Sequence, residues 1–252
     1  MDIFTVNFIL RKRSMKMFTL IILFAFSNSY TQKKKKKTTG LDNVTIYSLA
    51  INSSGHIFAG TSMDGVFRST DNGNNWTNLG IMNYDIRSMA IGSTTGILIG
   101  TLDQYYDGGI FRSTDNGNTW AILGLAEHPV YSLAINSNGD IFAGTPAVGI
   151  YRSTDNGANW ESINNGMTAF GVPSLIINSG GDIFAGTIEG GVFRSTNNGA
   201  NWVQINQGLT ETYILSLAIN SSGDIFAGTS GGGAFRSTNN GANWVQINQG
   251  LT

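Results

Sequence analysis

The chain has 252 residues, a formal net charge of −1 and a pI near 6.1. This charge excludes the basic footprint expected of a nucleic-acid-binding protein, and the absence of cysteine excludes disulfides and thiolate metal sites. Hydrophobic residues make up 41% of the chain and charged residues only 12%, which is typical of a folded protein with a core of its own.

The first segment has the order of residue types found in a secretory leader. Four basic residues between positions 11 and 16 precede the apolar run FTLIILFAF at 18–26, and small polar residues follow at 27–29. This order predicts a signal peptide over residues 1–29. The run is about half of the ~20 residues needed to span a bilayer, although an uncleaved anchor remains an alternative. We therefore expect a secreted, periplasmic or cell-surface protein with no membrane span after cleavage.

Residues 30–43 form the next segment and contain five consecutive lysines at 33–37. A charge run of this density is typically solvated. We predict a disordered, Lys-rich lead-in over 30–43 and a folded part that begins at Val44.

One unit of about 42 residues then fills the chain five times. A motif that begins STDNG or STNNG and ends in tryptophan starts at positions 69, 113, 153, 195 and 237, with spacings of 44, 40, 42 and 42 residues. The similarity extends beyond the motif, because YSLAINSSGHIFAGT at 47–61 returns as LSLAINSSGDIFAGT at 215–229. Residues 193–210 are repeated without change as 235–252. Periodicity on this scale is the signature of a repeat architecture.

Each unit contains four short segments that predict strands. In the first unit these are YSLAIN, HIFAGT, GVFRST and WTNL, separated by Gly-, Asn- and Ser-rich turns. Outside the leader, no segment keeps a 3.6-residue period. Four antiparallel strands in 40–45 residues form one β-propeller blade. We predict an all-β propeller with five visible blades over residues 44–252, either a closed five-bladed ring or a truncated larger propeller.

The motif Ser-x-Asp-x-Gly-x-x-Trp resembles the Asp-box of BNR-repeat (sialidase-type) β-propellers, and this resemblance covers about five-sixths of the chain. Each box pairs an acidic or amide residue with a tryptophan. The five pairs are Asp71 and Trp76, Asp115 and Trp120, Asp155 and Trp160, Asn197 and Trp202, and Asn239 and Trp244. The resemblance implies the propeller fold. It does not name an activity, because sialidases, xyloglucan hydrolases, sortilin-like receptors and photosystem assembly factors share the box.

We interpret the boxes as structural. An aspartate can accept hydrogen bonds from the backbone of its own turn, and asparagine at Asn197 and Asn239 can accept the same bonds without the charge. The tryptophan supplies apolar area to the blade interior. Five boxes on the outer parts of five blades cannot converge on one small ligand, and the pattern lacks the oxygen ligands of an EF-hand loop.

Function is expected in residues that do not repeat, because loops that vary on a regular scaffold carry binding sites. The loops between second and third strands share a face with the linkers between blades, and the residues that enter the first strands lie at the mouth of the central channel. The candidate ligand-binding residues are Tyr47, Arg87, Asp103, Tyr105, Tyr106, Asp107 and Tyr131.

The sequence marks no catalytic group. A sialidase requires an arginine cluster, but Arg87 is the only arginine outside the leader that does not belong to the repeat. A glycosidase of the xyloglucan type requires two carboxylates across a cleft, and no pair is marked among the acidic residues of the variable loops. We expect no metal and no cofactor.

These observations favour a non-catalytic binding or scaffold module that recognises a protein or a polysaccharide through the variable-loop face. The alternative is a glycoside hydrolase of the Asp-box propeller type or its inactive remnant. A third possibility, an assembly factor, is supported only by the resemblance to photosystem-associated propellers.

Overall fold

The computed structural model describes residues 40–251, which form β-strands joined by turns. Twenty strands make five four-stranded sheets, and in each sheet every strand pairs antiparallel with its neighbours in sequence. The predicted signal peptide and residues 30–39 of the predicted lead-in lie outside the described residues. Between residues 40 and 251, no helix has the length and hydropathy of a membrane span.

The strands of each blade are numbered in chain order, so that β1–β4 form blade 1 and β17–β20 form blade 5. The first strands are β1 (Ile46–Ile51), β5 (Asp85–Gly92), β9 (Ser132–Ile135), β13 (Ser174–Ile177) and β17 (Ile214–Ile219). The second strands are β2 (Ile57–Thr61), β6 (Gly96–Leu102), β10 (Ile141–Gly144), β14 (Ile183–Thr187) and β18 (Ile225–Thr229). The third strands are β3 (Val66–Ser69), β7 (Gly108–Ser113), β11 (Ile150–Ser153), β15 (Gly191–Ser195) and β19 (Ala234–Ser237). The fourth strands are β4 (Thr77–Asn78), β8 (Ala121–Gly124), β12 (Glu161–Ser162), β16 (Val203–Gln204) and β20 (Val245–Gln246).

An asparagine shapes the turn between the first and second strands. In blade 3, Asn136 Oδ1 accepts hydrogen bonds from the backbone N–H groups of Asn138 and Asp140 at 3.0 and 2.9 Å. Gly139, between them, has φ +88°, a conformation that glycine adopts without steric cost. The Asn-x-x-Gly sequence at 136–139 therefore closes the hairpin between the two strands.

The core lies between blades, where large side chains of one blade meet glycines of the same or the next blade. Phe58, Phe142 and Phe184 of the second strands are fully buried. The same strands carry a glycine where the next blade approaches: a Cβ atom on Gly186 would lie 2.6 Å from Ile214 Cγ2 of blade 5. Glycine is required at this position because any side chain would force neighbouring blades apart.

The five blades follow one another in a ring, and their first strands line one central channel. The molecule is thus a five-bladed β-propeller, and the prediction of four antiparallel strands per repeat is confirmed. The boundary between blade 5 and blade 1 differs from the other four blade boundaries. Phe226 is only partly buried there, whereas its counterparts in the other blades are fully buried.

Candidate binding site at the channel mouth

The variable loops and the interblade linkers meet on one face of the propeller. Backbone hydrogen bonds join loop to linker in blades 1 and 3, from Met63 N to Tyr84 O at 3.1 Å and from Gly149 N to Phe170 O at 2.9 Å. We call this the mouth face. The Asp-box turns and the hairpins between first and second strands lie on the opposite face, which we call the box face.

The channel is a cavity of about 210 Å³ that opens among the first strands. Each blade contributes three consecutive residues to its wall, at 47–49, 87–89, 131–133, 173–175 and 216–218. Each triplet contains a serine, in the middle in blades 1–4 and first in blade 5. Two of these serines donate to the next blade: Ser48 Oγ donates to Ile86 O at 2.9 Å and Ser132 Oγ to Val172 O at 2.8 Å. The residue before each serine varies: it is tyrosine in blades 1 and 3, arginine in blade 2, proline in blade 4 and leucine in blade 5.

Arg87 is the central charged group of the channel wall. Its guanidinium carbon lies 4.2 Å from the ring centroid of Tyr47 and 5.6 Å from that of Tyr131. Its Nη2 donates to Asp85 Oδ2 at 2.7 Å, and both side chains of this ion pair are 15% exposed. Ser62 Oγ donates to the other carboxylate oxygen of Asp85 at 2.8 Å. The arginine is therefore held in one orientation by an aromatic face and a carboxylate, a combination that suits its planar cation.

Two further tyrosines approach this group. Burial raises the pKa of Tyr131 above its usual value of 10, while the positive charge of Arg87 opposes that shift. Tyr106, Asp85 and Tyr213 lie close enough to raise the same pKa electrostatically. The mouth thus combines aromatic side chains from blades 1, 2 and 3 with Tyr213 from the linker before blade 5.

The long loop of blade 2 presents its two tyrosines to solvent. Tyr105 is 75% exposed and Tyr106 72% exposed. Asp103 Oδ1 accepts hydrogen bonds from the backbone N–H groups of Tyr105 and Asp107, both at 2.8 Å. One carboxylate oxygen of Asp103 therefore shapes its own loop, whereas Asp107 is exposed beside the tyrosines.

The structure brings Tyr47, Arg87 and Tyr131 together. It places Asp103, Tyr105, Tyr106 and Asp107 on the loop of blade 2, where Tyr106 acts on Tyr131 electrostatically. The candidates chosen from sequence omitted Asp85 and Tyr213. Asp85 begins the first strand of blade 2 and Tyr213 directly precedes that of blade 5. Both positions differ between units, and this variation was the available signal.

On the box face, each box forms the same hydrogen bonds within its own turn. In blade 3, Ser153 Oγ donates to Asp155 Oδ1 and accepts from Gly157 N, both at 2.8 Å. Asp155 Oδ1 also accepts from Asn159 N at 2.8 Å. In blade 4, Asn197 Oδ1 accepts from Ser195 Oγ at 3.0 Å and from Asn201 N at 2.9 Å. The amide thus reproduces the acceptor geometry of the carboxylate.

Three of the repeat arginines reach from one blade to the next on this face, whereas Arg194 pairs with Asp182 of its own blade at 2.6 Å. Arg68, Arg112 and Arg152 donate through Nη1 to the carbonyl of the box asparagine in the following blade, Asn116, Asn156 and Asn198, at 2.7, 3.3 and 2.6 Å. These contacts join blades and leave Arg87 as the arginine of the mouth. Within residues 40–251, no group of three acidic or histidine side chains could hold a metal ion.

Comparison with known proteins agrees with this architecture. The family profile described as photosynthesis system II assembly factor YCF48 matches residues 78–249. None of the curated proteins matches the chain. The three solved structures described next are each less than 25% identical to this chain, so they support the fold alone.

An ancestral GH74 enzyme is 21% identical and superposes with a TM-score of 0.69 over 82% of this chain, which spans 32% of the enzyme's length. YCF48 bound to a D1 peptide is 19% identical, with a TM-score of 0.60 over 81% of this chain and 68% of that one. YCF48 from Cyanidioschyzon merolae is 16% identical, with a TM-score of 0.61 over 83% of this chain and 73% of that one. The chain therefore corresponds to about a third of the GH74 enzyme and to most of the YCF48 proteins.

Proposed function

Because the chain belongs to the family of the photosynthesis system II assembly factor YCF48, we propose that it is a non-catalytic binding module for a segment of a partner protein. The segment lies across the channel mouth, against Arg87 and the surrounding tyrosines. The structure of YCF48 with a D1 peptide supports a peptide as the class of ligand, because it shows that a related propeller binds one.

The observation that carries this proposal is the arrangement of Arg87 with Tyr47 and Tyr131. Arg87 occurs at this variable position in one blade, and it forms one cluster with the tyrosines that blades 1 and 3 carry there. The exposed Tyr106 lies near enough to act on Tyr131 electrostatically. Exposed aromatic side chains beside a fixed arginine are typical of the centre of a protein interface. A tyrosine ring offers a rigid apolar surface to the partner's side chains, and its hydroxyl offers a hydrogen bond to a peptide group.

The acidic residues of this face are engaged in ways that suit binding better than hydrolysis. Asp85 accepts from both Arg87 and Ser62, and Asp103 accepts from two backbone groups of its own loop. These two carboxylates therefore hold the arginine and the loop in place.

The test compares peptide binding with polysaccharide binding. The protein is exposed to a displayed random peptide library and to the D1 peptide, and in parallel to a polysaccharide panel that includes xyloglucan. We expect enrichment of a peptide motif on the wild-type protein and its loss on Tyr105→Ala/Tyr106→Ala and on Tyr47→Ala. Ile122→Ala is the matched control, since Ile122 is 59% exposed on the fourth strand of the same blade.

Retention of a polysaccharide with release of reducing ends would replace this proposal by the hydrolase alternative. Retention of a polysaccharide without turnover would show that the ligand is a polysaccharide and not a protein segment. If peptides are enriched equally on the wild-type protein and on the tyrosine variants, the mouth is not the binding site.

We further propose that the protein is exported and acts outside the cytoplasm. The basic, apolar and small polar order of residues 1–29 supports this proposal. Expression of the full chain in a bacterial host, followed by mass spectrometry of the exported protein, is expected to show cleavage near Ser29. A full-length chain that stays in the cytoplasm would contradict it.

A further inference from the structure

The charged groups of the propeller are distributed unevenly between its two faces. Residues 40–251 contain fifteen carboxylate side chains, six arginines and no lysine, a formal net charge of −9 with histidine counted as neutral. The net charge of −1 for the whole chain hides this value, because the other nine basic residues precede residue 40. The five repeat arginines lie on the third strands next to the boxes, so Arg87 is the only arginine of the mouth face within the described residues.

Seven carboxylates stand on the mouth face against this one arginine. They belong to the variable loops, to the linkers and to the start of the first strand of blade 2. Besides Asp85, they are Asp64, Asp103, Asp107, Glu127, Glu189 and Glu211. The face therefore has a formal net charge of −6, and the one arginine that offsets it is already paired with Asp85 at 2.7 Å.

In blade 2, a linker brings one carboxylate against the loop that carries two others. Glu127 N donates to Gly108 O at 3.1 Å, and Gly108 directly follows Asp107 in the chain. The Asp103 carboxylate shapes this loop through Oδ1, whereas Asp107 and Glu127 are exposed. Within residues 40–251, neither of these two exposed carboxylates pairs with a basic side chain. Their charges are therefore open to a partner.

A second meeting of acidic segments lies between blades 4 and 5. Gly191 N donates to Thr212 O at 2.8 Å, which joins the loop of Glu189 to the linker of Glu211. Glu211 Oε1 accepts a hydrogen bond from Tyr213 N at 2.9 Å. Glu189 is exposed, and no arginine in the described part of the chain pairs with it. Unpaired acidic side chains thus border the mouth in two separate places.

The exposed aromatic side chains of the blade 2 loop favour the same kind of partner. Tyr106 is 72% exposed and directly precedes Asp107. An aromatic ring attracts a cation to its face, and a neighbouring carboxylate adds the attraction of opposite charge. At Tyr47 the propeller already has this combination internally, with Arg87 over the ring and Asp85 as the counter-ion. Tyr106 and Asp107 offer the equivalent groups to a lysine or arginine of another protein.

We infer that the protein segment bound at the mouth is basic, with lysine or arginine side chains over the exposed tyrosines and against the carboxylates of blades 2 and 4. This inference rests on the proposed function, because it gives the charge of the segment that the mouth binds. Complementary charge orients the segment and speeds its association, and like charge disfavours acidic competitors.

The test selects ligands from a displayed random peptide library with the full-length protein. We expect the enriched peptides to contain more lysine and arginine than the unselected library. One enriched peptide is then synthesised, and its Kd is measured by fluorescence anisotropy. Raising the salt concentration from about 0.1 M to about 1 M shortens the screening length from about 10 Å to about 3 Å and should weaken binding. The same peptide with glutamine in place of its basic residues should not bind.

A triple variant of the mouth face measures the contribution of its carboxylates. Asp107→Asn/Glu127→Gln/Glu189→Gln removes three exposed charges that have no basic partner in the described residues. An exposed ion pair changes an affinity by roughly 1.5- to fivefold, so the three changes together should weaken peptide binding roughly tenfold.

The matched control removes the same number of charges from the box face. Asp71→Asn/Asp115→Asn/Asp155→Asn converts the three acidic boxes to the form that blades 4 and 5 already carry, and it should leave the Kd unchanged. Thermal melts show whether both triple variants stay folded. Equal weakening in the two triple variants would overturn the inference, because it would show that binding responds to net charge and not to the mouth.

The composition of the enriched peptides separates this inference from the proposed function. Peptides without an excess of basic residues, whose binding is lost in Tyr47→Ala, would overturn the charge of the segment and leave the proposed function standing. A library that enriches no peptide would overturn both.

The lysine run of this chain, Lys33–Lys37, is the competing basic segment. Its replacement by glutamine should leave the Kd of the peptide unchanged. A segment tethered to the propeller acts at a high effective concentration. An affinity that rises about tenfold or more in this variant would therefore show that the run itself occupies the mouth, and it would overturn the assignment to another protein.

Discussion

Blades 4 and 5 contain the same eighteen residues, at 193–210 and 235–252, yet these residues have different environments. The box tryptophans are alike, with Trp202 3% exposed and Trp244 4% exposed. The equivalent isoleucines differ in burial: Ile205 packs within an interblade cluster, whereas Ile247 is 37% exposed. Leucine differs in the same way, since Leu209 is part of that cluster and Leu251 is 63% exposed.

The comparison shows which packing contacts of a blade are made with the preceding blade and which depend on the blade that follows. The box tryptophan packs back toward the preceding blade, as the hydrogen bonds from Trp202 Nε1 to Ile163 O and from Trp244 Nε1 to Ile205 O show at 2.6 and 2.7 Å. Both tryptophans have a preceding blade and are equally buried. The isoleucine packs forward, and only blade 4 has a packed blade ahead of it. Stability in a repeat architecture depends on such nearest-neighbour interfaces.

The largest effect in this comparison is expected from the box tryptophans. Trp202→Ala should lower the free energy of unfolding by roughly 3–5 kcal/mol, because it empties a buried aromatic site between two blades. Trp244→Ala should cost about the same. Trp160→Ala should cost less, since Trp160 is only partly buried and donates to Gly157 of its own turn. Urea denaturation of the three variants measures the order, and equal losses for Trp160 and Trp202 would contradict it.

Glycine in the second strands gives the next largest contrast. Gly186→Val should destabilise by about 1–3 kcal/mol, because the new side chain collides with Ile214. Gly228→Val should change stability by no more than about 0.5 kcal/mol, since Ser216 Oγ at the end of a mobile side chain is the only atom close to it. Thermal and urea melts of both variants check the contrast.

A smaller effect is expected from the isoleucines of the fourth-strand tails. Ile205→Ala removes methyl groups from an interblade cluster and should cost about 1–2 kcal/mol. Ile247→Ala should stay within about 0.5 kcal/mol, as is usual for exposed positions. Identical losses in urea melts would mean that Ile247 is covered in solution, and the difference between the two blades would then disappear.

The repeat period and the turn chemistry were sufficient to predict the architecture. Asn-Gly and Ser-Gly turns at fixed spacing fix the hairpins, and the glycine of each second strand marks close packing between blades. The greater exposure of apolar residues between blades 5 and 1 could not be predicted, because Ile205 and Ile247 have the same local sequence. At the mouth, residues at variable repeat positions, such as Tyr47 and Arg87, could be selected as candidates. Their stacking depends on how the first strands converge, which no local pattern encodes.

The smallest expected effect separates the acidic boxes of blades 1–3 from the amide boxes of blades 4 and 5. In blade 3, hydrogen bonds from the side chain and backbone of Asn159, then from Ser153, lower the pKa of Asp155 from 3.8 to about 2. Because the folded-state pKa is lowered, this stabilisation is present above about pH 3.8 and is lost as the pH falls toward 2. Asn197 does not titrate, so its turn should keep its bonds. After correction for intrinsic exchange, hydrogen exchange at the Asn159 amide should quicken between about pH 4 and about pH 2, while exchange at the Asn201 amide stays unchanged. Asp155→Asn should remove the pH dependence at Asn159, and a response shared by both amides would show that acid loosens the whole propeller rather than the acidic boxes.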